Sequence, residues 1–119
     1  MAPRSLAFAL ALLTMPSPNV LGQELQLTTA VGHAYDEVAN CLIKQMAPRL
    51  VAVPVVRPPP TNKAEVHLYL PGTRETDAPV ASFFISQLGN SSTVVFGERP
   101  DHRGKFVSAA RGAALRCSR

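Results

Sequence analysis

The spacing of apolar positions divides the chain into one unbroken apolar run and, after it, a series of short amphipathic segments. The run, Leu6 to Met15, comes after Met1-Ala2-Pro3-Arg4 with its single basic side chain, and Pro16, Pro18 and Asn19 end it. A basic start, an apolar stretch of ~7–15 residues and small residues at the exit make the pattern of a secretory signal peptide. Val20 and Gly22 suit the −3 and −1 positions, so residues 1–22 are expected to be the signal, with cleavage between Gly22 and Gln23. The run falls short of the ~20 apolar residues that span a bilayer, and no other segment comes close. No cysteine lies near the cleavage point, so a lipid-anchored N-terminus is not expected. Residues 23–119 are then one small domain of the periplasm or the extracellular space.

Within that domain the period changes from segment to segment. Gln23 to Val31 alternates weakly and reads as a short edge strand or a loose arm, with Thr28 or Thr29 available to cap the next element. His33 to Met46 has helical spacing: Ala34, Tyr35, Val38, Ala39, Leu42 and Met46 share one face, with Cys41 at its edge. Asp36 and Glu37 near its start, and Lys44 and Arg49 near its end, suit the helix dipole, and Pro48 stops it. Val51 to Val56 is β-branched and extended, but Pro54 confines it to an edge or a bulge. Arg57-Pro58-Pro59-Pro60 is expected to be a short polyproline II connector.

Ala64 to Leu70 alternates with period two, placing Val66, Leu68 and Leu70 opposite Glu65, His67 and Tyr69. Pro71-Gly72 opens a polar turn. Val80 to Gln87 and Ser92 to Phe96 read as two further strands joined at Gly89-Asn90-Ser91. Asp101 to Arg116 reads as a second helix with an apolar face of Phe106, Ala109, Ala110, Ala113 and Cys117, weakened at Gly104 and Gly112 by about 1 kcal/mol each. The expected fold is α+β: an antiparallel three- to four-stranded sheet in α-β-β-β-α order, with both helices on one face.

Cysteine usage adds a covalent constraint. An even count of two in an exported domain implies a Cys41–Cys117 disulfide joining the two helices. The loop so closed, about 77 residues, corresponds to ~4.5 kcal/mol of chain entropy. The two are not in Cys-x-x-Cys spacing, so redox cycling is not expected.

Charge and side-chain chemistry narrow the function only in part. The chain carries a net charge of +4; losing Arg4 with the signal leaves +3, which favours acidic partners without specifying nucleic acid. The last 21 residues hold Arg99, Arg103, Lys105, Arg111, Arg116 and Arg119 against Asp101, a basic end suited to an anionic surface or to an envelope or extracellular protein. Aromatic residues are not interleaved with these cations, so nucleic acid is not expected. His33, Asp36 and Glu37 have helical spacing but no second half-site; no metal and no cofactor are expected.

Glu65, His67 and Tyr69 share one strand face, which Arg57 or Arg99 could join. A carboxylate and a histidine there would suit general acid–base hydrolysis. No serine stands in Gly-x-Ser-x-Gly. Asn90-Ser91-Ser92 is a glycosylation acceptor in a eukaryotic secretory pathway. These features point to a non-enzymatic binding module, with Tyr69 beside Phe84 or Phe96 as an aromatic anchor, or Arg111 and Arg116 as a basic one. The alternative is a small secreted hydrolase using Glu65 and His67.

Overall fold

A computed structural model describes residues 23–73 and 78–119. The expected signal peptide and its cleavage point lie outside the described residues. The elements run β1 (Glu24–Val31), α1 (Tyr35–Met46), β2 (Val51–Arg57), β3 (Lys63–Tyr69), β4 (Ala81–Leu88) and β5 (Ser91–Glu98), then a 3-10 turn (Pro100–His102) and α2 (Val107–Cys117). The class is α+β. The sheet is wholly antiparallel, in the order β1-β5-β4-β3-β2.

The sheet has five strands rather than three or four, and a strand precedes the first helix. The added strand, β1, is the edge-strand alternative for Gln23 to Val31 rather than the loose arm, and it pairs with β5 at one edge. Its alternation looks weak because the register slips between Leu25 and Leu27. Leu25 stands opposite Gly97 and Leu27 opposite Phe96, so two leucines spaced for one face lie on opposite faces. Strands β2 to β5 form a meander, and α1 carries the chain from the β1 edge to β2 at the other edge. The β4–β5 hairpin closes on Gly89-Asn90 between paired Leu88 and Ser91, and Gly89 supplies the positive φ of +65°.

Both helices cover the same face. Val38, Leu42 and Met46 of α1 and Ala110 and Ala113 of α2 pack on Val66, Leu68, Phe83, Ile85, Val94 and Phe96. Phe83 and Phe96 are fully buried with ring centroids 5.0 Å apart. Truncating either to alanine would cost about 3–5 kcal/mol, a large part of what holds so small a domain together. Cys41 and Cys117 are bonded and join α1 to α2, with their Cα atoms 5.8 Å apart. Among the described residues no helix is long and apolar enough to cross a membrane.

Three local expectations change. Thr28 and Thr29 lie inside β1, and the N-cap position of α1 is Ala34. The Tyr35 N–H donates instead to Gln87 Oε1 at 3.2 Å, so β4 supplies the capping acceptor. The Arg57–Pro60 segment is no polyproline rod: β2 continues to Arg57, and the Thr61 N–H closes a turn on the Pro58 carbonyl at 3.0 Å. Finally, α2 starts at Val107 rather than Asp101, because Gly104 turns the chain at φ +80° and buried Glu98 takes the Gly104 and Phe106 N–H groups.

Candidate functional site

The face of the sheet away from the helices carries the polar chemistry. Strand pairing brings Arg57 opposite Lys63, and sets Glu65 opposite both Val55 and Phe84 and His67 opposite both Val53 and Ser82. One continuous chain of hydrogen bonds results. Arg57 Nη2 donates to Glu65 Oε2 at 3.2 Å, and Glu65 Oε1 lies 2.9 Å from His67 Nε2. His67 Nδ1 lies 2.8 Å from Ser82 Oγ, which accepts from Gln23 Nε2 at 3.1 Å.

The end groups set the proton directions. Gln23 Nε2 also reaches the Pro79 carbonyl at 3.5 Å, an acceptor that suits only the nitrogen of the amide. Ser82 Oγ therefore accepts from Gln23, and in the tautomer that carries its proton on Nε2 it donates its own proton to His67 Nδ1. The other ring nitrogen donates to Glu65, whose second oxygen is held by Arg57. A serine, a histidine and a carboxylate are thus in the order of a nucleophile, a base and its orienting acid.

The hydroxyl is closed off. Ser82 is 0% exposed, and Gln23, at 1%, lies over it. Gly97 makes that cover possible: a β-carbon there would stand 3.1 Å from the Glu24 carbonyl oxygen and 3.4 Å from Gln23 Cβ. Its pairing with Ser82 places Gly97 beside the hydroxyl, so the missing side chain leaves the space that Gln23 fills. Gln23 Oε1 is buried without a hydrogen-bond partner. The His67 side chain is 12% exposed and makes an edge-on contact with Phe84 at 6.4 Å. As it stands, this is a fixed polar spine that ties β2, β3, β4 and the residue before β1 together.

The structure brings Glu65, His67 and Arg57 together and leaves Arg99 out. Arg99 pairs with Asp101, Nη2 to Oδ2 at 2.8 Å, and donates to the Ala78 carbonyl at 3.1 Å. The Arg99 hydrogen bond holds the Asp101 carboxyl below the usual aspartate range, and the guanidinium is correspondingly raised. Ser82 and Gln23 were not legible as partners of His67. Ser82 alternates correctly in its strand, but its place across from His67 depends on a register that turn lengths alone do not fix.

The aromatic and basic candidates separate. Tyr69 falls on the open face but is buried at 8% exposure; Phe84 shares that face half-buried, and Phe96 belongs to the core. Arg111 is exposed on α2. Arg116, also exposed, donates through Nε to Gln45 Oε1 and so bridges α2 to α1. It lines two clefts: one of about 240 Å³ with Met46, Pro48, Arg49 and Ala109, the other of about 210 Å³ with His33, Glu37 and Arg119. His33 Nδ1 is 4.0 Å from Glu37 Oε2, and Asp36 Oδ1 accepts the Glu37 N–H at 2.9 Å. No three-group cluster capable of holding a metal occurs among the described residues. Asn90 is exposed at the β4–β5 turn.

No protein-family model matches the chain, and no curated protein is similar to it in sequence.

Proposed function

We propose that this is a small exported, disulfide-stabilised binding module of the periplasm or extracellular space, acting without catalysis. The observation that carries the reading is the coverage of Ser82: the one hydroxyl aligned with His67 and Glu65 is sealed beneath Gln23. It also lies within β4, paired with His67 on one side and Gly97 on the other, where its own backbone serves the ladder rather than a developing oxyanion. Contact then falls to the helix side, where α2 carries Arg111 and Arg116 and no acid of its own, and Arg116 lines two open clefts. Such a surface fits an anionic group or an acidic patch on an envelope or extracellular protein.

The test pairs two measurements on the mature protein. A photo-reactive residue at position 111 should yield a saturable adduct in the host's secreted fraction, lost when Arg116→Glu is added; the same probe at Thr93 on the opposite face should yield none. A panel of nuclease, esterase and glycosidase substrates should show no turnover. A second reading, a small hydrolase using Glu65 and His67, is favoured by the Ser82–His67–Glu65 alignment. Turnover abolished by His67→Ala, or covalent labelling of Ser82 by a fluorophosphonate, would establish it and end the binding reading.

A further inference from the structure

We infer that the cleft between the end of α1 and the flank of α2 is a site for a phosphate or sulfate ester group, held by Arg116 and Arg49. The inference rests on the binding-module reading and names the chemistry of its ligand. The cleft, about 240 Å³, is lined by two arginines and no carboxylate. That volume is below the ~300 Å³ at which drug-sized ligand sites begin, and suits one anionic group with its attached carbons. Met46, Pro48 and Ala109 offer apolar walls for those carbons.

Arg116 is set in place before any ligand arrives. Its Nε is spent on Gln45 Oε1, which fixes the guanidinium plane. The two Nη groups lie back over Gly112, one turn earlier on the helix. A β-carbon at 112 would be 3.3 Å from Nη1 and 3.6 Å from Nη2. A glycine inside a helix costs up to about 1 kcal/mol relative to alanine, and here an added β-carbon would press on the guanidinium and shift it by a few tenths of an ångström. Cys117, next in the chain, is bonded to Cys41 and anchors the same turn to α1. A planar fork with oriented N–H groups is the geometry that recognises tetrahedral oxyanions. The C-terminal end of α1 opposes an anion with roughly half a negative charge, which two full cations outweigh.

The experiment is a titration of the mature, disulfide-bonded chain with inorganic phosphate and with sulfate, monitored by NMR shifts of the Arg116 Nε–H and the Ala109 amide. Saturable shifts are expected. Arg116→Gln should weaken binding about tenfold or more, the loss of one charge-assisted contact. Gly112→Ala should weaken it several-fold while raising helix stability, so reduced folding cannot account for the loss. Lys63→Gln, an exposed cation at the start of β3 and outside the cleft, should bind as the parent does. Flotation with phosphatidylglycerol vesicles, against phosphatidylcholine vesicles, separates the sources. Selective flotation lost in Arg116→Gln identifies a lipid headgroup; phosphate binding without flotation identifies a soluble ester. Absence of a saturable shift, or equal shifts in Arg116→Gln, would overturn the site. If the adduct at position 111 still forms in that case, the binding reading stands and only this ligand assignment fails.

Discussion

The fully buried carboxylate of Glu98 accepts the backbone N–H of Phe106 at 2.5 Å and that of Gly104 at 2.7 Å. These two bonds join the end of β5 to the start of α2, a helix whose N-cap position, Phe106, offers no side-chain acceptor. Glu98→Ala would leave the buried Phe106 N–H unpaired, at about 1–3 kcal/mol, and free the N–H of exposed Gly104 to bond water. The expected loss is thus about 1–3 kcal/mol in urea denaturation, with α2 amides exchanging first. Glu98→Gln keeps one acceptor and turns a donor toward the other N–H, so it should fall between parent and alanine variant. A loss below about 0.5 kcal/mol in Glu98→Ala, the range of an ordinary surface change, would show that α2 does not depend on this carboxylate.

The Cys41–Cys117 bond constrains the same helix from its other end. Replacing both cysteines with serine should lower stability by up to ~4.5 kcal/mol, the chain-entropy value for the loop. The buried face of α2 is made mostly of alanines, which bury little area each, so the helix has few means of holding itself down. Exchange protection should therefore fall in α2 before it falls in β3 and β4. Uniform loss of protection across the sheet and both helices would mean that the bond stabilises the domain only as a whole.

The particular residues explain how far the chain could be read from its sequence. Val66, Leu68 and the α1 stripe were legible because each element has a single buried face and a clean period. The disulfide was legible because both cysteines fall beside packing faces of predicted helices. Strand β1 was obscured by its bulge, which sends Leu25 and Leu27 to opposite faces. The helix caps were obscured because their acceptors, Gln87 and Glu98, come from distant strands rather than from the residues just before each helix. Glu65 and His67 could be seen as neighbours by alternation, whereas Ser82 and Gln23 reach them only through cross-strand register and the space at Gly97.

Asp101 gives a pH dependence of defined sign. Its hydrogen bond from Arg99 lowers the folded-state value below the ordinary ~3.9 of an unfolded aspartate. A carboxylate so depressed contributes its stability above the unfolded value and loses it as pH falls through the folded one. Asp101→Asn should therefore be slightly less stable than the parent from about pH 5 upward, with the gap closing below about pH 4. Thermal midpoints of the two proteins measured across that range test this. The gap should also shrink with salt, because Asp101 is solvent-facing. A gap that widens toward low pH would reverse the sign and remove Arg99 as its cause.

Pro54 protects the open edge of the sheet. Strand β2 has a neighbour on one side only, and Val51, Val55 and Val56 are 45%, 38% and 50% exposed. Pro54 has no N–H to give β3, so its backbone position is one that faces away from the sheet, and the free edge lacks a donor at its centre. Pro54→Val would restore that donor in a run of valines with little charge, the composition that pairs edge to edge. Size-exclusion chromatography with light scattering should show Pro54→Val forming concentration-dependent dimers or larger species. Pro54→Lys, which restores the same N–H but adds a charge to the edge, should stay monomeric at matched concentrations. If Pro54→Val remained monomeric too, the missing donor would not be what keeps this edge apart. If both variants associated, the donor alone would suffice and charge would give no protection.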